Sequence, residues 1–507
     1  MNIRTTCART RGLALFAVLV VVVLASLAGT TAIVVSTADR ARAAHALNAA
    51  EARAAAESAL DAILQELGAQ RTEALAGSTP TVIPSRTLRV RPDGSRVVYR
   101  LVELTDRPGE HLRAENARLD INTVPREALE RLDALTPGAI DAILAARARA
   151  PIEDLADLAR LAGIDESDLQ PDLVGTDRET IASLLTTTAF DPALAAGAGD
   201  GGERRIGQDR LRVRSNADLS FQQELTERIG EQPAGSIVQT LEANPPSSHT
   251  DLVRRVLERS VSVSLPELAL ALDTLAVEDV LVGRVDLNRA SAQVLAALPG
   301  LDLATAEAIT SARDALDERT RASILWPVTE GLISVTDYAE AAPWLTVRSM
   351  QWRVRIEAGI APAPAAATGP TIGGPGPMDS AAARIAGPGG ADIYDGPLRA
   401  RVVLEAVVDL TAERPRLAVL TDLTELHAAR LVRRVARDDE FTFDRAPGVQ
   451  APTGRETFDN RRWADRSWRD RASAPGVAEP ERAPGDVGVR HGRWSPARSG
   501  AGSGGAN

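Results

Sequence analysis

Five histidines, one cysteine and 69 carboxylate side chains are what this 507-residue chain offers for catalysis or metal binding. His45, His111, His249, His427 and His491 are scattered, and no two stand at the spacing of a metal-ligand pair or a Ser/His constellation. Cys7 is alone, so the chain forms no internal disulfide and no thiolate cluster. The sequence sets no pair of carboxylates in a recognisable catalytic arrangement. No enzymatic activity, catalytic residue or cofactor is therefore expected. The one legible piece of chemistry concerns a peptide bond. In TRGLALFAVLVVVVL, residues 10–24, Arg11 and Gly12 stand directly against an apolar run. The bond between Gly12 and Leu13 lies in a discarded signal peptide, in a plain membrane anchor, or at a cut that keeps the apolar part.

The element around that bond separates these readings. Residues 13–35 are uncharged, and at about 1.5 Å per residue they reach across a hydrocarbon core of roughly 30 Å. Arg4, Arg9 and Arg11 precede them, so the positive-inside bias leaves the N-terminus in the cytoplasm and the rest of the chain outside. The run is longer than the ~7–15 residues of a secretory apolar region, although ARAAHA at residues 41–46 supplies small-residue cleavage options. From 36 to 67 there is neither proline nor glycine, and strong helix formers carry the helix onward. Ala49, Ala52, Ala56, Leu60, Ile63 and Leu67 recur every three or four residues as an apolar stripe, while Arg53, Glu57, Asp61 and Glu66 fall elsewhere. One unbroken helix of about 80 Å is predicted, half in lipid and half packed on a soluble head.

A short basic leader ending in Gly12, followed by an apolar helix that turns amphipathic, resembles the type IV pilin-like precursors. The resemblance implies that a prepilin peptidase cuts after Gly12, so that the mature chain begins at Leu13. Pilins usually carry glutamate at the fifth mature position, paired with a neighbouring subunit's N-terminal amine; here that position is Ala17. In this the chain resembles the minor pseudopilin K family of type II secretion systems (general secretion pathway protein K). Its implied place is the filament tip, and Ala17 is the implied determinant of that position.

Two stretches align without a gap: DINTVPREALERLDALTPGAIDAILAAR at 120–147 and DLNRASAQVLAALPGLDLATAEAITSAR at 286–313. They share Asp120/Asp286, Asn122/Asn288, Leu129/Leu295, Leu132/Leu298, Leu135/Leu301, Ala142/Ala308, Ile143/Ile309 and Arg147/Arg313. Each reads as helix, turn, helix, with Pro125 or Ser291 opening the first helix and Pro137-Gly138 or Pro299-Gly300 marking the turn. Both resemble helix-hairpin-helix, or SAM-like, units, a class that often holds DNA phosphates on hairpin amides. Asp302 stands where a distal glycine would, and residues 120–168 carry eleven Asp and Glu against five Arg. That charge opposes a nucleic-acid partner and favours protein contact. The remaining alternative function is a membrane-anchored helix-hairpin-helix protein for DNA binding or uptake.

Strands flank this helical block: two alternating runs about a Pro-Asp-Gly turn at 87–104, another at 345–359, and a hairpin from 398–410 and 414–426. Only 3% of residues are aromatic and the net charge is −11, which calls for aliphatic, helix-rich cores. The predicted fold is α+β: a pilin-like long N-terminal helix and a small antiparallel sheet, with a large inserted α-helical domain holding the two repeats. The expected boundaries are a leader at 1–12, the helix at 13–67 and the first part of the sheet at 80–118. The insertion follows at 119–345, with repeats at 120–164 and 286–345. A return strand at 346–359, a Pro/Gly/Ala linker at 360–397 and a hairpin at 398–427 complete the ordered part. From 428 to 507 Arg, Asp, Gly, Pro and Ser dominate and predict disorder, with Trp463, Trp468 and Trp494 among arginines as a candidate binding patch. The family resemblance implies other minor pseudopilins, the prepilin peptidase, the inner membrane and secreted proteins as partners; calcium is left open, with no ligands assigned.

Overall fold

A computed structural model describes residues 7–104, 109–155, 157–164, 181–198, 202–213, 219–243, 245–260, 262–363 and 396–425. Most of the expected linker, and the tail from 428 onward, lie outside the described residues. The chain is mixed helix and sheet. It begins with one helix, α1 (Cys7–Ala69), of 63 residues. Residues 18–35 of α1 are bare of tertiary contact, with Val18, Val21, Leu27 and Ile33 each more than 60% exposed. This single helix is long and apolar enough to cross a membrane.

The second half of α1 is packed. Ala52, Ala56, Ala59, Ile63 and Leu67 are buried, and the small side chains let the helix axis approach a sheet closely. A short helix, α2 (Arg71–Leu75), follows. The sheet is antiparallel and built from β1 (Ser85–Val90), β2 (Arg96–Leu101), β3 (Leu112–Ala114), β12 (Gln351–Ala361), β13 (Arg399–Asp409) and β14 (Arg416–Asp422). Its order is β1-β2-β12-β13-β14, with β3 beside β2 on the same side of β12. Alternation assigns the faces. Trp352, Val354, Ile356, Leu404, Ala406 and Val408 pack in one core with α1, whereas Arg353, Arg355, Glu357 and Glu405 point to the opposite side.

Between β3 and β12 the chain leaves the sheet to build a second aliphatic core, which contains the repeats. Three pairs of two-residue strands, all parallel, close three successive loops. They are β4 (Leu119–Asp120) with β5 (Leu185–Thr186), β7 (Leu211–Arg212) with β8 (Leu275–Ala276), and β10 (Val285–Asp286) with β11 (Leu345–Thr346). Antiparallel pairing of β6 (Phe190–Pro192) with β9 (Val280–Val282) ties the chain leaving the first loop to the chain leaving the second. The outer loops carry the repeated sequences. The middle one carries four helices, Leu219–Ile229, Glu231–Ala243, His249–Arg259 and Leu265–Thr274, which the sequence reading did not resolve as a module.

Within the first loop, α3 (Arg126–Glu130), α4 (Pro137–Arg147) and α5 (Asp157–Ala162) follow one another. One expectation needs correction here. Pro137 and Gly138 do not form the turn but open α4, where Thr136 is the N-cap and accepts from the Ala139 N–H. Proline at the first helical position loses no intrahelical hydrogen bond, and this accounts for the shift. In the third loop, Ala292–Ala297 and Leu303–Arg313 are the matching helices, and Pro299-Gly300 do lie between them.

Candidate functional site

Gly12, Leu13 and Ala17 lie within the backbone of α1, and the six residues before Cys7 are outside the described residues. The histidines are not gathered: His45 is exposed on α1, His111 is half-buried and His249 is buried, while His427 and His491 are outside the described residues. Among the described residues no group of three His, Cys, Asp or Glu side chains is placed to hold a metal ion.

The repeated Asp-x-Asn motifs have a clear geometric task. Asp120 accepts from the Asn122 N–H at 2.8 Å, and Asn122 in turn clasps Ile152, donating to its carbonyl and accepting from its N–H at 3.0 and 2.8 Å. In the second copy Asp286 accepts from the Asn288 N–H at 3.0 Å. Asn288 donates to the carbonyls of Arg321 and Val347 and accepts from the Trp326 indole. The shared arginines close the same turn. Arg147 donates to the carbonyls of Ile121 and Val124, and Arg313 to that of Ala290. A buried amide side chain that both donates and accepts fixes two segments at once, so these residues are struts of the fold.

The two copies differ in charge. Asp286 is paired with Arg289 at 2.7 Å. Asp120 has Thr123 at the matching place, and burial pushes its carboxyl up to about 6. Thr123 is closely covered: a Cβ on Gly283 would lie 1.8 Å from its hydroxyl.

Charged side chains then lock the helical body to the sheet. Glu115, fully buried, accepts from Arg353 at 2.7 Å and from Thr188 at 2.9 Å, and pairs with Arg118. Arg353 also reaches Glu405, which Arg355 contacts at 2.6 Å. The cations hold the Glu115 carboxyl far below the usual carboxylate range, overcoming its burial, and burial brings Arg118 down to about 9. On the far side Arg348 pairs with Asp191 at 2.8 Å and donates to the carbonyls of Leu75, Pro192, Ala195 and Leu194. Asp273 gathers the N–H groups of Ala196, Gly197 and Ala198. Sequence reasoning missed these residues. One signal was present: extending the repeat two residues upstream aligns Arg118 with Arg284, both buried, and the middle loop carries Arg210 before its own first strand.

The turns of the helix pairs bear on ligand binding. In the second pair, a Cβ on Gly300 would meet the Asp337 carbonyl and Glu340 Cβ at 2.8 Å each, so that turn is packed against the helix Val335–Ala341. Its carbonyls are occupied as well. Arg131, from the end of α3, donates through Nη1 to Ala296, Leu298 and Leu301 at 3.2, 2.7 and 3.0 Å. The described residues thus combine an apolar helical segment without tertiary contact and a set of interlocked helical loops. Compared with known proteins, the chain matches no protein-family model and no curated protein.

Proposed function

We propose that this chain is a minor pseudopilin of a type II secretion system, related to the pseudopilin K family, and that it starts and caps a short periplasmic filament. The observation that carries the reading is the form of α1. Residues 18–35 are apolar and bare, and the second half of the helix is one layer of a small antiparallel sheet domain that a large helical insertion interrupts. In this reading α1 spans the inner membrane once, N-terminus inside, and its apolar half lies beside the helices of other minor pseudopilins. Ala17 introduces no carboxylate that would demand a partner amine in lipid. The helical body then blocks addition of a further subunit, a task for which the Glu115 and Arg348 networks make it suitably stiff. The protein acts by assembly and not by catalysis.

The helix pairs also motivate the DNA-uptake alternative. Two observations weigh against it: the turn at Gly300 is packed on protein, and Arg131 fills the neighbouring carbonyls. An acidic first repeat adds electrostatic repulsion. The deciding experiment is intact mass or N-terminal sequencing of the membrane-extracted protein, with and without a functional prepilin peptidase. A peptidase-dependent start at Leu13 supports the proposal. A start at Met1 or near Ala46 overturns it.

A further inference from the structure

The two helix pairs are built alike, but only one of their turns is filled. In the second, Leu298 N–H donates to Leu295 and Leu301 N–H to Leu298, and Arg131 takes up the carbonyls of Ala296, Leu298 and Leu301. The gapless register maps those carbonyls onto Glu130, Leu132 and Leu135. The first turn has the same supporting bonds, Leu132 N–H to Leu129 at 3.1 Å and Leu135 N–H to Leu132 at 3.0 Å. It also has the same buried leucines, Leu129, Leu132 and Leu135. The residue matching Arg131 is Ala297, which has no donor to return. Among the described residues no side chain donates to the three carbonyls of the first turn.

The surroundings of this turn favour a cation. Asp133, Ala134 and Thr136 are exposed, as is Glu127. The nearby arginines are already engaged, Arg126 with Glu130 and Asp141 and Arg131 with the second turn. We infer that the turn of the first helix pair, through the carbonyls of Glu130, Leu132 and Leu135, is a docking site for an arginine side chain of a partner polypeptide, which it holds as the second turn holds Arg131. A guanidinium suits it because it is always charged and offers several donors to oxygens that carry only partial charge. This inference stands apart from the secretion reading, since it concerns the kind of group recognised and not the assembly in which recognition occurs.

The test uses the full chain in detergent micelles and a photoreactive tripeptide, acetyl-Gly-Arg-Gly, with its citrulline counterpart as the neutral isostere; sites of labelling are mapped by mass spectrometry. The arginine probe is expected to label residues 130–136 of the unchanged protein at least about tenfold more than the citrulline probe, as a charge-assisted contact requires. Asp133→Lys, at an exposed position, is expected to lose that labelling by supplying a cation of its own. Arg131→Ala is expected to add labelling at 296–301 by vacating the second turn. Labelling of 296–301 in Arg131→Ala with none at 130–136 in the unchanged protein would overturn the proposal, because the vacated turn would then bind where the open one does not. Equal labelling by both probes, or none at either turn, would overturn it too.

Discussion

At the scale of single residues, Asp120 and Asp286 set up a paired experiment. Asp120 titrates near 6 in the folded protein against an ordinary 3.8, and burial is the cause. A carboxyl raised by folding penalises the folded state above its folded pKa, and protonation relieves the penalty as the pH falls from about 6 towards 4. Asp120→Asn should therefore hold or raise stability at pH 7, by up to about 3 kcal/mol at 1.36 kcal/mol per pKa unit. The difference from wild type should shrink by pH 4.5. Thermal unfolding at the two pH values checks this, and an undiminished difference at pH 4.5 would refute it. Asp286→Asn should do the reverse and lower stability at pH 7 by about 1–3 kcal/mol, because it leaves the half-buried Arg289 without its carboxylate. Equal effects from the two substitutions would show that the pairing with Arg289 is energetically idle. The sequence made the aspartates visible as a repeat, but their unlike environments, Arg289 beside one and burial without a paired cation at Thr123 beside the other, arise only through folding.

Among the elements, α1 was the most legible. An uncharged apolar run with no proline and a single glycine, Gly29, continued by an alanine-rich stripe, leaves little choice but a long helix, and Ala52, Ala56, Leu60, Ile63 and Leu67 are the buried stripe. The strands about the Pro-Asp-Gly turn were legible by alternation, whereas the two-residue strands were not, since no periodicity can be read in two residues. The middle four-helix loop was passed over because it lacks the Asp-x-Asn motif and has Arg212 where the others have aspartate. Packing of α1 on the sheet leads to a specific expectation. Ala56 is fully buried against the strands, so Ala56→Leu should overpack the layer and cost about 1–3 kcal/mol. Limited proteolysis should then cut within residues 48–69 sooner than in wild type, and an unchanged cleavage rate would argue that the helix is loosely held. Gly300→Ala should likewise destabilise the second turn, since φ is +77° and the new Cβ would strike the Asp337 carbonyl; a thermal midpoint within error of wild type would refute that contact.

For the molecule as a whole, the proposed role makes position seventeen decisive. Ala17→Glu would give the membrane helix a carboxylate that a tip subunit has no neighbour to neutralise. It is expected to disturb incorporation and lower secretion, measured as exported protein per cell; unchanged secretion would count against a tip position. None of this was readable from composition alone. The acidic charge and the dearth of aromatic residues narrow the possibilities, and the functional reading needs the junction at Gly12 and the interrupted sheet together.

The three parallel ladders have a further consequence. Each two-residue pair brings the start and end of a helical loop to adjacent points, so each loop departs from the body and returns to it at nearly the same place. A loop with neighbouring ends can lengthen, shorten or be exchanged at little entropic cost to the frame that carries it. The helical part is thus modular, and a whole loop could be gained, lost or replaced without re-threading a single strand of the sheet.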